Sequence, residues 1–145
     1  MSSTMQPYRV LLQGEAHWRE SNIMKIPNTD LAEQLGARKL GARLWRLPPF
    51  SANTWHRHVE QEELYFVLEG TGRLRVGTDT LTIPTYGAVL VPPSCLRQVF
   101  NDTLEDVLWL VCGAPRHEVA ERADLYPEDP RQLPAELRGR SWPPA

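Results

Sequence analysis

The stretch from Trp55 to Gly72 constrains this chain more than any other part of it. It contains His56 and His58 two positions apart, followed by Glu63 at the start of an apolar segment. In an extended strand, residues two apart face the same side and lie roughly 6.6 Å apart, so both imidazoles can point to one place. Glu63 can reach the same place across a short turn. Two neutral nitrogens and a carboxylate suit a divalent transition metal and leave coordination positions open.

A simpler interpretation of these residues is also available. Exposed strands carry an H-x-H pattern by chance, and Glu60, Glu62 and Glu63 can form a solvated acidic turn. The downstream sequence favours a functional interpretation. The apolar segment ends at Gly70, and a second apolar run between Gly87 and two prolines leads on to an arginine and an asparagine.

These residues resemble the two motifs of the cupin superfamily, in its small single-domain members built on the conserved barrel. The first motif, H-x-H with a glutamate and a glycine at fixed spacing, is met by His56, His58, Glu63 and Gly70. The second motif is met in part, by Gly87, Pro92 and Asn101. Ser94 stands where the motif has a glycine, and Arg97 stands where it has a histidine. The resemblance covers about residues 40 to 112.

The resemblance implies an all-β fold, the cupin double-stranded β-barrel or jelly roll. It also implies metal ligands at His56, His58 and Glu63, with Arg97 in the place of the fourth ligand. Arginine stays protonated and does not bind metal. Two outcomes are therefore open: a metal on the three remaining ligands with Arg97 holding an anionic substrate, or Arg97 paired with Glu63 in place of the metal. Cys95 is either a soft substitute ligand or a small apolar residue.

The function implied by this resemblance is that of a metal-dependent enzyme acting on a small polar or anionic molecule. Iron, manganese, nickel or zinc would be the metal, Arg97 would bind an anionic oxygen, and Tyr65 would relay a proton. Oxygenase, isomerase and lyase chemistry all remain open, because one fold hosts many reactions. The alternative is a metal-free binder or sensor of small molecules in which Arg97 pairs with Glu63. A third possibility is a barrel with a filled interior that serves interaction or storage.

The strand that follows Glu63 is apolar on both faces. If Glu63 points inward, so do Tyr65 and Val67, and the large side chains at 64, 66 and 68 point outward. Each of those, Leu64, Phe66 and Leu68, would cost roughly 1.5–3 kcal/mol if left in water. Another surface is needed to cover them: a second sheet, an N-terminal strand or another subunit, which would make the protein a homodimer.

The remaining chain reads as short strands separated by glycine and proline turns, which is typical of an antiparallel barrel or jelly roll. Asp30 to Gly36 predicts a short capped helix, and the segments 8–12 and 18–24 predict N-terminal strands. We expect strands at 40–47, 55–58, 73–76, 80–83, 87–91, 96–100 and 104–112. Residues 1–113 form the predicted barrel domain. Residues 114–145 hold six of the 13 prolines and predict a C-terminal arm packed on the barrel or on a partner subunit.

Composition excludes several classes of function. A net charge of −2 gives no basic surface for nucleic acid or for a membrane. The longest apolar run is far too short to span a bilayer. Two cysteines, Cys95 and Cys112, without a secretory leader at the start of the sequence predict free thiols and a cytoplasmic location.

Overall fold

The computed structural model describes residues 6–22 and 24–116. A 3-10 turn occupies Gln13–Glu15, and one short helix, α1, occupies Leu31–Leu35. Ten strands were found: β1 (Arg19–Glu20), β2 (Pro27–Asp30), β3 (Gly41–Leu47), β4 (Ser51–Ala52), β5 (Glu62–Glu69), β6 (Gly72–Val76), β7 (Asp79–Ile83), β8 (Ala88–Val91), β9 (Arg97–Asn101) and β10 (Val107–Ala114).

The strands form two antiparallel sheets. The larger sheet has six strands in the order β1-β2-β3-β10-β5-β8, and the smaller has four in the order β4-β9-β6-β7. Apolar side chains of both sheets form one core, to which Val67 and Trp109 contribute from the larger sheet and Leu74 and Val99 from the smaller. The predicted all-β jelly roll of the cupin kind is confirmed.

Strand β5 shows the alternation that the sequence predicts. Glu63, Tyr65 and Val67 are buried, while Leu64 is 41% exposed on the opposite face. Phe66 on that face is partly exposed. Because the side chains of a strand alternate between its two faces, burying Glu63 fixes the direction of every other side chain in β5.

Helix α1 begins and ends as its sequence predicts. The Asp30 carboxylate accepts a hydrogen bond from the Glu33 amide at 2.9 Å, and Gly36 ends the helix in the left-handed region at φ 71°. The Glu33 carboxylate pairs with Arg116. That contact joins the helix to the segment that leaves β10.

Two predicted strands are wrong. Residues 8–12 form no strand and are mostly exposed, since no neighbouring strand lies beside them in the described chain. The segment 55–58 makes a single bridge, between His56 and Arg97, and is otherwise irregular. Of the segment 18–24, only Arg19–Glu20 pairs as a strand.

The predicted C-terminal arm lies mostly outside the described residues, which end at Arg116. The Arg116 amide donates to the Lys39 carbonyl at 2.9 Å, so the chain leaves the barrel beside the start of β3. Within the described residues no helix is long and apolar enough to cross a membrane.

Candidate metal centre

The segment that carries the two histidines is held by the backbone of β9. The His56 amide donates to the Arg97 carbonyl at 3.0 Å, and the Arg97 amide donates back to the His56 carbonyl at 2.8 Å. Two residues further on, the His58 carbonyl accepts a hydrogen bond from the Ser94 amide at 2.6 Å. These bonds bring the imidazole rings of His56 and His58 to 5.0 Å, edge to face.

The ring of His56 is oriented by a backbone carbonyl. Its Nδ1 lies 3.0 Å from the carbonyl oxygen of Thr54, and a carbonyl oxygen can only accept. Nδ1 therefore carries the proton, and Nε2 keeps the lone pair that a metal would need. Burial lowers the pKa of His56 to about 4, although the charge of Glu63 opposes the shift. The ring is neutral at neutral pH.

Glu63 is the common acceptor of the site. Its Oε1 accepts a hydrogen bond from Tyr65 Oη at 2.7 Å and lies 3.2 Å from both Arg97 Nη1 and His58 Nε2. Burial raises the pKa of this carboxyl, but the hydrogen bond and charge of His58, the charge of His56 and the Tyr65 hydroxyl outweigh it. The pKa falls to about 2, so Glu63 is ionised at neutral pH.

Arg97 lies inside the barrel with its side chain 0% exposed. Its Nη2 donates to the Pro92 carbonyl at 2.8 Å, and Nη1 donates to Glu63. Its Nε is buried and has no hydrogen-bond partner among the described residues. One donor of a buried cation therefore has no acceptor among residues 6–22 and 24–116.

The three predicted ligands fit a divalent metal. One ligand atom from each of His56, His58 and Glu63 lies within 4.8 Å of the other two. Two of the three residues are buried and His56 is partly buried. Two imidazole nitrogens and an ionised carboxylate form a donor set suited to iron, manganese, nickel or zinc, with open positions for substrate.

The family model for the cupin domain matches residues 43–113. This segment runs from β3 to β10 and contains all of the site described above. The chain belongs to the cupin superfamily. No curated protein sequence matches this cupin.

Solved structures similar to this cupin come from several bacteria. A proposed sugar phosphate isomerase from Acidithiobacillus ferrooxidans is 28% identical, with a TM-score of 0.58, and the match covers 63% of this chain and 60% of that protein. This cupin thus spans less than two thirds of it. The sugar phosphate isomerase from Silicibacter pomeroyi is 21% identical over 74% of this chain and 76% of its own, with a TM-score of 0.68.

A predicted oxalate decarboxylase from Thermotoga maritima is 19% identical to this cupin. The match covers 74% of this chain and 100% of that one, with a TM-score of 0.66. At this level of identity, as for the Silicibacter protein, the similarity concerns the fold alone.

The structure brings together all five side chains that the sequence singled out for the site: His56, His58, Glu63, Tyr65 and Arg97. Cys95 does not join them and packs against the core. Sequence reasoning missed the carbonyls of Thr54 and Pro92, since any residue type has a carbonyl and only the fold directs it.

Asn101, the last residue of the second motif, lies away from the ligands. Its side-chain amide donates to the carbonyls of Leu47 and Glu105 at 3.0 and 2.7 Å. Its Oδ1 accepts from the amide and the hydroxyl of Thr103. This buried asparagine therefore holds the turn between β9 and β10.

Proposed function

We propose that this cupin is a metal-dependent enzyme that acts on a small anionic molecule. His56, His58 and Glu63 hold a divalent metal, Arg97 binds the anionic group of the substrate, and Tyr65 transfers a proton. The metal would polarise an oxygen of the substrate. The main support is the convergence of the three ligand atoms within 4.8 Å, together with a neutral His56 and an ionised Glu63 at neutral pH.

An anionic substrate follows from the charges. Glu63 and Arg97 offset each other in the buried site, so the charge of a bound metal would remain uncompensated. Uncompensated charge in a buried site is costly, and a carboxylate or phosphate on the substrate removes that cost. The similarity to the proposed sugar phosphate isomerase makes phosphorylated sugars the first class of substrate to test.

Tyr65 is placed to move a proton. Its hydroxyl is buried and lies 2.7 Å from Oε1 of Glu63, one of the three predicted metal ligands. A hydroxyl that already donates to an ionised carboxylate can pass its proton to a substrate oxygen and take it back from the same side.

The alternative function is a metal-free binder or sensor of small molecules. The 3.2 Å contact between Arg97 and Glu63 favours it, because a guanidinium can replace a metal electrostatically at a carboxylate. In that case the ion pair itself is the receptor, and the molecule catalyses nothing.

Metal content separates the two functions. The protein would be purified without chelator and without nickel resin, analysed for bound elements, and titrated metal-free with Mn²⁺, Fe²⁺, Ni²⁺ and Zn²⁺ by calorimetry. We expect one metal per chain, lost in His58→Ala and retained in His17→Ala, since His17 is exposed and outside the site. If the wild-type protein holds no metal and takes up none, the metal-dependent enzyme is contradicted and the metal-free binder is favoured.

A further inference from the structure

We propose that metal and substrate anion bind this site cooperatively, because Arg97 exchanges Glu63 for the anion when the metal arrives. The inference rests on the proposed function and adds to it the coupling between metal and anion and the receptor for the anion. It concerns small molecules that carry a carboxylate or a phosphate.

The first step is competition at Glu63. Its Oε1 already takes a hydrogen bond from Tyr65 and lies 3.2 Å from Arg97 Nη1 and His58 Nε2. A carboxylate oxygen has few acceptor positions, so a metal on this carboxylate displaces some of these donors. Arg97 is the donor most strongly displaced, because its positive charge repels the metal at short distance.

The second step is that Arg97, once displaced from Glu63, cannot turn its side chain out into water. Its side chain is 0% exposed, Nη2 is bonded to the Pro92 carbonyl, and its backbone is paired with His56 on both sides of the bridge. Once it has lost Glu63, the guanidinium stays in the site with Nη1 free and with Nε still lacking a partner in the described part of the chain. A buried cation in that state is costly unless an acceptor is supplied.

An oxyanion meets this requirement. A carboxylate or phosphate offers two or more acceptor oxygens to a guanidinium and carries the charge that offsets the metal. Metal should therefore bind less tightly without the anion than with it, and the anion should bind less tightly while Glu63 occupies Arg97. By thermodynamic linkage, each ligand then tightens the other by the same factor.

Calorimetry on the metal-free protein tests this coupling. Mn²⁺ would be titrated in chloride buffer, and again at equal ionic strength with saturating inorganic phosphate or saturating acetate. We expect the Kd for Mn²⁺ to fall by about 5- to 150-fold with the anion that fits, the range typical of coupled sites. The phosphate and acetate arms distinguish the two kinds of anion, and titrations into His58→Ala correct for complexes formed between Mn²⁺ and the anion in solution.

Two variants of Arg97 are measured, so that a folding defect in one of them does not decide the result. Arg97→Gln should bind Mn²⁺ more tightly than the wild type in chloride and lose the effect of the anion. Arg97→His should bind the metal more tightly because histidine adds a fourth ligand, and the anion should no longer change the Kd for Mn²⁺. Arg73→Gln serves as the control, since Arg73 pairs with Asp102 and Thr82 away from the ligands, and it should retain the full coupling.

The two possible failures differ. If the wild type takes up no metal in any buffer, the proposed function fails and the coupling fails with it. If the wild type binds Mn²⁺ with the same affinity in chloride, phosphate and acetate, and Arg97→Gln binds no more tightly, the coupling is wrong while the metal site stands.

Discussion

Ser94 adopts a backbone conformation that suits another residue type. Its φ is +71°, in the left-handed region where a side chain costs about 1–2 kcal/mol and glycine costs nothing. Its amide donates to the His58 carbonyl, so the turn that demands this φ is also the turn that holds a predicted metal ligand. Ser94 stands where the second cupin motif has a glycine, the residue type that adopts this φ without cost.

Ser94→Gly should therefore stabilise the protein. Glycine removes the cost of the left-handed backbone in the folded state. It also raises the conformational entropy of the unfolded chain, which offsets part of that gain. The net increase in the free energy of unfolding is about 0.5–1 kcal/mol. Urea denaturation would measure it. Ser94→Ala is the matched control and should show no such gain, because it keeps a Cβ at the same φ. Equal midpoints for the glycine and alanine variants would refute the idea.

At the scale of single residues, the sequence predicts which side chains form the site better than it predicts which backbone groups do. His56, His58 and Glu63 could be assigned because their spacing and chemistry are specific. The direction in which Arg97 points followed from the second motif, and its contact with Glu63 agrees with that alignment. The Thr54 carbonyl, which sets the tautomer of His56, could not be foreseen.

At the scale of elements, the strand predictions succeed where one sheet contains the whole segment. β5 lies within the larger sheet and follows its alternating pattern from Glu62 to Leu68. The segment between β4 and β5 leaves the smaller sheet and enters the larger one, so it cannot pair continuously with one neighbour. For this reason His56 makes a single bridge, and the predicted strand at 55–58 was wrong although both histidines converge.

Gly72, at the start of β6 in the smaller sheet, lies directly against side chains of the larger sheet. A Cβ at this position would lie 2.7 Å from Val67 Cγ2 and 2.8 Å from Trp109 Cη2. Both neighbours are fully buried and have no room to move. The glycine is needed here for space, and the φ of the residue is not the reason.

Gly72→Ala should accordingly destabilise the protein by about 1–3 kcal/mol, the usual cost of overpacking a core. Gly14→Ala is a suitable control, because a Cβ there meets nothing within 4 Å. Thermal unfolding of both variants beside the wild type would give the result. A Gly72→Ala melting temperature equal to that of Gly14→Ala would show that the sheets are farther apart than described.

At the scale of the whole molecule, the outer face of the larger sheet is apolar across four strands. Two rows of paired residues cross it, one of Leu44, Leu110, Phe66 and Ala88, and the other of Ala42, Cys112, Leu64 and Leu90. Leu64 is 41% and Leu90 is 57% exposed. A patch of this kind favours an interaction surface, and a second copy of the same face can cover it about a two-fold axis.

We propose that this cupin is a homodimer formed through that face. Light scattering should give twice the chain mass of 16.6 kDa at micromolar concentration, and Leu64→Glu or Leu90→Glu should lower it to the monomer because a buried carboxylate opposes association. Leu104→Glu, at an 82% exposed position outside the face, should remain dimeric. A monomeric wild type would contradict the dimer.

The backbone bridge between His56 and Arg97 has a consequence for protein engineering. The bridge uses only the amide and carbonyl of position 97, so it does not depend on which side chain stands there. A library of variants at position 97 would therefore place cationic, neutral or metal-binding side chains beside His56 and His58, while the backbone that holds the two histidines stays the same. Binding sites with different charge preferences could be built from this scaffold through a single codon.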